Sequence, residues 1–333
     1  MALFTKYFNP VDVVLLALGL PCWLFYVSVL TLLTARRREE PFDSSFFRLS
    51  AFLGAADCLQ IPCTMVIYKL QLGTNFINAI PGATASPLTL ALITPPNFVF
   101  GYWQHCAVAV MAVNRFCAVA FPLRLKKIFN PTAMGAIMAT VLSVAALAGV
   151  DVFLQPQHFH YDNESDRFVG QFDDTAASNR LYGQVVLLIF GCLCVSTVSY
   201  SSAIVVLLRN RAAKKSMTTG ATGGGKKVPL MEIKLGLCGF VTFLLQLVYG
   251  VLMIVPALGD DPQTRFKILP YWSVVGDVFN WINPFLLLGM STATRDAYLS
   301  FYFGKTSTRE LQRASVRGFQ QRTVTNQQRS AKF

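Results

Sequence analysis

Charged side chains are scarce in this chain: they make up 14% of its 333 residues, against 53% hydrophobic. That balance excludes an ordinary soluble domain. Histidine is nearly absent, with three in all, and His105 has no cysteine, histidine or carboxylate at ligand spacing on its own helix, so no metal site is expected. No Gly-x-x-x-x-Gly-Lys-Ser/Thr order occurs; Gly223-Gly224-Gly225-Lys226-Lys227 resembles a phosphate loop only superficially, and no strand precedes it. No paired mid-span nucleophile and base is found, so no catalytic residue, enzyme activity or cofactor is expected. The eight cysteines all fall in apolar runs and none in an outside loop, which leaves no extracellular disulfide to propose and reads them as buried thiols. Lysine is missing from the interior of the last apolar run, where a retinal Schiff base would need one, and Lys267 stands only at its outer edge. Internal repeats, usual in transporters, are absent as well.

What the chain does have is length in its apolar runs. Seven of them, at about 11–34, 46–68, 97–120, 132–155, 181–208, 231–258 and 268–290, each supply the roughly 20 helical residues that span a bilayer. The fold class expected is an all-α membrane protein, a seven-transmembrane helix bundle. No cleavable leader pattern precedes the first run, which is read as an uncleaved span. Orientation follows from Lys and Arg, which are retained on the cytoplasmic side. With the amino terminus outside and the carboxyl terminus inside, 23 of the 29 basic residues fall inside. The acidic segment Asp162, Glu164, Asp166, Asp173, Asp174 then lies outside, as does the sequon at Asn163, a glycosylation candidate. The net charge of +12 is thus a topology signal and an attraction to anionic inner-leaflet lipids, with no nucleic acid implied. The third inside loop, from Arg209 to Lys234, is Gly/Thr-rich between basic clusters and is expected to be flexible.

Ionisable and amide side chains inside apolar spans are costly, so they face protein or water and mark function. Asp57 lies mid-way in the second span among small neighbours, Gly54 to Ala56, that allow close helix approach. In the seventh, Ser273, Asp277, Asn280 and Pro284 recur at helical spacing, with Asn283 beside them. Asp57 and Asp277 can share a hydrated network or a cation, or serve as structural hydrogen-bonding groups. Asp57, Asn280, Asn283 and Pro284 are the candidate structural and activation network. On the third span Asn97, Gly101, His105, Val108, Ala112 and Arg115 form one stripe from outer to inner end, and the sixth offers Gln246, Tyr249 and Met253 on one face. Asn97, Gly101, His105, Gln246, Tyr249 and Asp277 are therefore the candidate ligand-binding residues of a pocket between bundle helices, with ordinary helix packing the alternative for each. Pro21, Pro62, Pro256 and Pro284 sit inside spans as hinges or static kinks.

After the seventh span, residues 294–303 read as a short amphipathic helix in the membrane interface, with Leu299, Tyr302 and Phe303 on one face. The seven-span domain, with this interfacial helix, is bounded at 1–304. The remaining 305–333 read as a disordered basic cytoplasmic tail.

Several short motifs, in order, carry a resemblance. They are Gly19-Leu20-Pro21-Cys22-Trp23-Leu24, Ala56-Asp57, Asn114-Arg115-Phe116 with Phe121-Pro122, Met231-Glu232-Ile233-Lys234-Leu235, and Leu269-Pro270-Tyr271 leading to Trp281-Ile282-Asn283-Pro284-Phe285-Leu286-Leu287. Together they resemble the nematode serpentine chemoreceptors, most closely class v of the class g superfamily. The resemblance implies a G-protein-coupled chemosensory receptor with a small-molecule ligand and a heterotrimeric G protein as partners. It implies a multi-pass protein of the plasma membrane, the ciliary membrane of a sensory neuron being the specialised site. Asn114, Arg115 and Phe116 stand where better-known receptors carry an acidic residue, arginine and an aromatic, and so become the candidate G-protein-coupling residues. The departures are Asn114 in place of the acidic residue, Leu287 where tyrosine is common, and the missing disulfide from the third helix to the second outside loop. A transporter or channel for a small solute is the competing class.

Overall fold

The computed structural model describes residues 10–65, 87–154, 157–162, 167–172, 175–217, 230–258 and 262–304. Seven helices of twenty residues or more lie among them: α1 Pro10–Ala35, α2 Ser45–Thr64, α3 Pro87–Ala120, α4 Pro131–Leu154, α5 Thr175–Met217, α6 Leu230–Leu258 and α7 Pro262–Met290. A single turn, Leu125–Ile128, lies between α3 and α4, and the shorter α8, Thr292–Phe303, follows α7.

Among the described residues, four helices are long and apolar enough to cross a membrane: Val14–Ala35, Pro131–Leu154, Asn179–Asn210 and Lys234–Ile254. Val274–Met290 is a shorter apolar stretch. The helices that fall short carry most of the buried polar groups: Ser50, Asp57 and Gln60 on α2, Asn97, Gln104, His105, Asn114 and Arg115 on α3, and Asp277, Asn280 and Asn283 on α7, while α5 and α6 bury Ser196, Ser199, Thr242 and Gln246. Solvation is inverted relative to a water-soluble domain. Asn114 is 0% exposed and Asp57 2%, whereas Leu147 is 73% and Leu187 72% exposed. Such a distribution suits a hydrocarbon solvent, in which apolar side chains lose nothing by facing outward while polar ones must find partners within.

At the centre stands α3, packed against α2, α4, α5 and α6; α7 packs on α6, α1 and α2. Two apolar clusters hold the bundle. One joins Val29, Phe46, Leu53, Met111, Leu235 and Leu287; the other joins Tyr102, Ala145, Ile189, Leu193 and Phe243. Gly54 on α2 is small for a physical reason, since a Cβ there would come within 3.1 Å of the Tyr26 ring of α1.

Several elements differ from the sequence expectation. The helix α5 runs nine residues past its expected end at 208, to Met217, so the first part of the inside loop expected to be flexible is helical. The stretch Arg211-Ala212-Ala213-Lys214-Lys215 explains this, being composed of strong helix formers. Between α4 and α5, in the loop expected outside, the chain forms an antiparallel hairpin, β1 Gln157–Asp162 with β2 Arg167–Phe172, in which Gln157 pairs with Phe172 and Asp162 with Arg167. Its aromatic-rich strands have the composition that favours pleated structure. Asn163, the loop residues 218–229 and the tail from 305 lie outside the described residues.

The helix α8 is capped at both ends. Ser291 accepts a hydrogen bond from the Thr294 amide at 3.2 Å, and Gly304 ends the helix in the left-handed conformation at φ 61°. Tyr298 and Tyr302 face α1: the Tyr298 hydroxyl is 2.8 Å from Ser28 Oγ, and Tyr302 donates to the Ser28 carbonyl at 2.8 Å. Tyr302 thus anchors to α1 through its hydroxyl while Phe301 and Phe303 are exposed, and Leu299 is half-buried.

Candidate functional site

The buried polar residues of the bundle form three tiers, each built on α3. In the outer tier, Gln60 Nε2 of α2 donates to Asn97 Oδ1 at 2.8 Å. One turn inward, a Cβ on Gly101 would meet only Gln60 Nε2, at 4.0 Å, so this position is open. One further turn inward lies His105, buried and tied to α6: Gln246 Nε2 is 3.1 Å from His105 Nδ1 and 3.3 Å from its backbone oxygen. Aromatic rings close around this pair. His105 stacks on Phe279 at 5.7 Å and lies 5.3 Å from Tyr249, which in turn lies 6.0 Å from Phe279 and 5.8 Å from Trp272. These spacings are those of favourable ring contacts. Three of the candidate ligand residues, His105, Gln246 and Tyr249, are thereby brought together across α3 and α6. Asp277 is buried on α7 one turn outward of Asn280.

The middle tier is a hydrogen-bonded network spanning α1, α2, α3 and α7. Tyr26 donates its hydroxyl to Asp57 Oδ2, and Gln104 Nε2 donates to Asp57 Oδ1 at 2.6 Å and to Asn280 Oδ1 at 2.9 Å. Asn283 Nδ2 donates to the Tyr26 hydroxyl at 3.1 Å. A carboxyl group buried without donors would cost several kcal/mol; here both oxygens are served. Asp57, Asn280 and Asn283, the candidates for a structural network, are joined here through Gln104 and Tyr26, and Pro284 is buried beside Asn283 on α7. Tyr26 and Gln104 were missed. Gln104 was legible in principle, since it falls seven residues after Asn97 and three after Gly101, on the same helical face. Tyr26 carried no such signal, because a tyrosine in an apolar span is equally at home in lipid.

The inner tier surrounds Arg115. Its Nη2 donates to Asn114 Oδ1 at 2.7 Å, and Asn114 Nδ2 donates in turn to Ser45 Oγ of α2 at 2.8 Å. The guanidinium lies 4.5 Å above the Phe46 ring, a cation–π contact. The acceptor beside this arginine is thus a neutral amide. Phe116 packs edge-on against Phe121 at 6.1 Å. Across the bundle, Tyr200 of α5 meets Phe240 and Phe243 of α6 at 5.5 and 5.4 Å, and its hydroxyl occupies the space a Cβ on Gly239 would need.

Among the described residues no group of three or more His, Cys, Asp or Glu could hold a metal ion. Cys106 on α3 and Cys192 on α5 place their sulfurs 3.9 Å apart. Cys194, two residues on, is exposed on another face of the same helix.

Comparison with known proteins gives two findings. Residues 15–300 match the family described as serpentine type 7TM GPCR chemoreceptor Srv. The chain is also similar to serpentine receptor class V-1 of Caenorhabditis elegans, with 22% identity over 295 residues, 86% of this chain and 89% of that protein.

Proposed function

The chain belongs to the Srv family of serpentine-type seven-transmembrane G-protein-coupled chemoreceptors, and from that premise we propose how it works. It crosses the membrane seven times with its amino terminus outside and its carboxyl terminus inside. It binds a small molecule in the outward half of the bundle, at Asn97, Gly101, His105, Gln246, Tyr249 and Asp277. It activates a heterotrimeric G protein at the cytoplasmic end, where Asn114, Arg115 and Phe116 lie. Basic side chains on that side hold anionic lipids of the inner leaflet. The plasma membrane is the site of action, in a sensory neuron its ciliary part.

One observation carries the reading: α3 joins all three tiers in a single helix. His105 and Arg115 are ten residues apart, about 15 Å along the axis. A ligand that separates Gln246 or Tyr249 from His105 shifts α6 and α7 against α3. Those helices also hold the middle network and the Gly239 contact with Tyr200, so the inner end repacks. Ligand binding is linked to this change only through a difference in affinity for the two arrangements. Because Asn114 is neutral, its bond to Arg115 is assisted by one charge only, and a carboxylate in its place would add an ion-pair attraction of about 1 kcal/mol. The resting state is therefore restrained lightly and signals to some extent without ligand.

The test is nucleotide exchange on a co-expressed heterotrimeric G protein, read beside surface expression. Wild type gives measurable ligand-free exchange, Arg115→Ala abolishes it, and Asn114→Asp lowers it roughly fivefold, as a stabilisation of about 1 kcal/mol demands. Full exchange by surface-expressed Arg115→Ala rejects Arg115 as the coupling residue.

A further inference from the structure

We infer that Cys106 of α3 and Cys192 of α5 form an oxidation site, closed to an interhelical disulfide by a membrane-soluble hydroperoxide, and that the bond clamps α5 to α3. The site stands apart from the candidate ligand residues; only its consequence for signalling rests on the receptor reading above. All eight cysteines lie among the described residues as free thiols. Of the eight, Cys106 and Cys192 alone bring their sulfurs together, at 3.9 Å. A disulfide holds its sulfurs about 2.05 Å apart, so the pair stands about 2 Å short of bonding distance. Both side chains are half-buried, which leaves surface for a small reagent to reach. Among the described residues no third His, Cys, Asp or Glu joins them in a metal-binding group. The surroundings are apolar, with Ile189 and Leu193 of α5 buried in one cluster with Tyr102 of α3. The oxidant suited to this place is one that dissolves in hydrocarbon, an alkyl or lipid hydroperoxide.

The chemistry balances in two steps. One sulfur attacks the terminal oxygen of the O–O bond, and its proton passes to the departing alkoxide, giving a sulfenic acid and an alcohol. The second sulfur attacks the sulfenic sulfur, and its proton leaves with the hydroxide as water. The two sulfurs together lose two electrons, which the peroxide gains. The bond lies above the inner end of the bundle: Arg115 is nine residues inward of Cys106 and Tyr200 eight inward of Cys192, about 12–14 Å along each axis. The α6 helix is seated on α5 at two levels. A Cβ on Gly250 would come within 2.7 Å of Leu193 and 3.0 Å of Ile189, and further inward Tyr200 packs on Phe240 and Phe243. Tying α5 to α3 therefore restrains α6 against α3, which is the movement that carries ligand binding to the inner end in the mechanism proposed above.

The experiment uses the full chain in lipid nanodiscs with a protease site inserted between β1 and β2, so that cleavage parts α3 from α5. After treatment with tert-butyl hydroperoxide and cleavage, the two wild-type pieces should run joined on a non-reducing gel and separate when dithiothreitol is added. Cys106→Ala and Cys192→Ala should each give separate pieces under both conditions. Ligand-free nucleotide exchange on an added heterotrimeric G protein should fall several-fold in the oxidised wild type and return on reduction, while both variants exchange equally before and after treatment. Wild-type pieces that separate after oxidation overturn the inference, as do pieces that stay joined in both variants. A joined chain that exchanges as fast as the reduced one overturns the clamp. The gel reads the bond whether or not the chain activates a G protein, so failure of the bond and failure of the receptor reading are told apart.

Discussion

Asp57 illustrates how a single side chain organises the bundle, because its two oxygens draw in residues from three other helices. Tyr26 and Gln104 donate to it directly, and Asn283 reaches it through the Tyr26 hydroxyl. Tyr26→Phe removes one donor from the carboxyl group and the acceptor of Asn283 in one step. We expect a loss of about 1–3 kcal/mol, the cost of leaving buried polar groups unpaired, seen as a lower melting temperature of the full chain in nanodiscs. A variant that melts with the wild type would show that the hydroxyl contributes nothing to holding α1. Much of this network was legible in the sequence. Asp57, Asn280 and Asn283 declared themselves because amide and carboxyl groups are expensive in an apolar span. Tyr26 could not be read, since its ring suits lipid and core alike, and only the position opposite Gly54 reveals that its hydroxyl points inward. The bond from Arg115 to Asn114 was also hidden. Adjacent residues on a helix do not share a face, and the pairing depends on the rotamers that Ser45 and Phe46 of α2 impose.

At the scale of the element, apolar length located the helices well and their ends poorly. Inside a span the cost of exposing backbone groups to hydrocarbon enforces helix, whereas beyond it local propensity decides. That is why α5 continues through Arg211 to Lys215, and why the aromatic strands between α4 and α5 pair as a hairpin in a segment read only for its acidic charge and its sequon. The last helix, α8, was anticipated as an amphipathic segment, but its attachment was not. Two tyrosines at i and i+4 reach the same turn of α1, and Phe25 packs against Tyr298 at 6.0 Å and Phe285 at 4.8 Å. The junction depends on Ser291, which breaks α7 from α8 and caps the latter. Ser291→Ala is expected to cost about 0.5–2 kcal/mol of local stability. Hydrogen exchange at the amides of 292–298 reads this directly: they should exchange several-fold faster than in wild type while α1 is unchanged. Equal protection in both proteins would assign the start of α8 to its packing on α1 alone.

For the whole molecule, the relation between sequence and membrane is one of sidedness. Membership in the Srv family makes this a multi-pass membrane protein, and the direction of insertion rests on the distribution of its cations. With the amino terminus outside, 23 of 29 Lys and Arg face the cytoplasm. Each such residue near an anionic inner leaflet contributes about 1 kcal/mol of attraction, so the opposite orientation would forgo the larger share of these contacts. The same orientation puts Arg115 at the cytoplasmic end of α3 and the hairpin outside. A fluorescent protein fused to the carboxyl terminus should therefore be shielded from protease added to intact cells and cleaved only after the membrane is opened. If Asn163 carries a glycan, Asn163→Gln should abolish a mobility shift that a glycosidase also removes. Digestion of the fusion on intact cells would reverse the orientation and with it the coupling proposal, because Arg115 would then face away from any G protein. An unshifted Asn163 would leave the orientation standing, since the sequon governs whether a site can be modified while the cation distribution governs which way the helices insert.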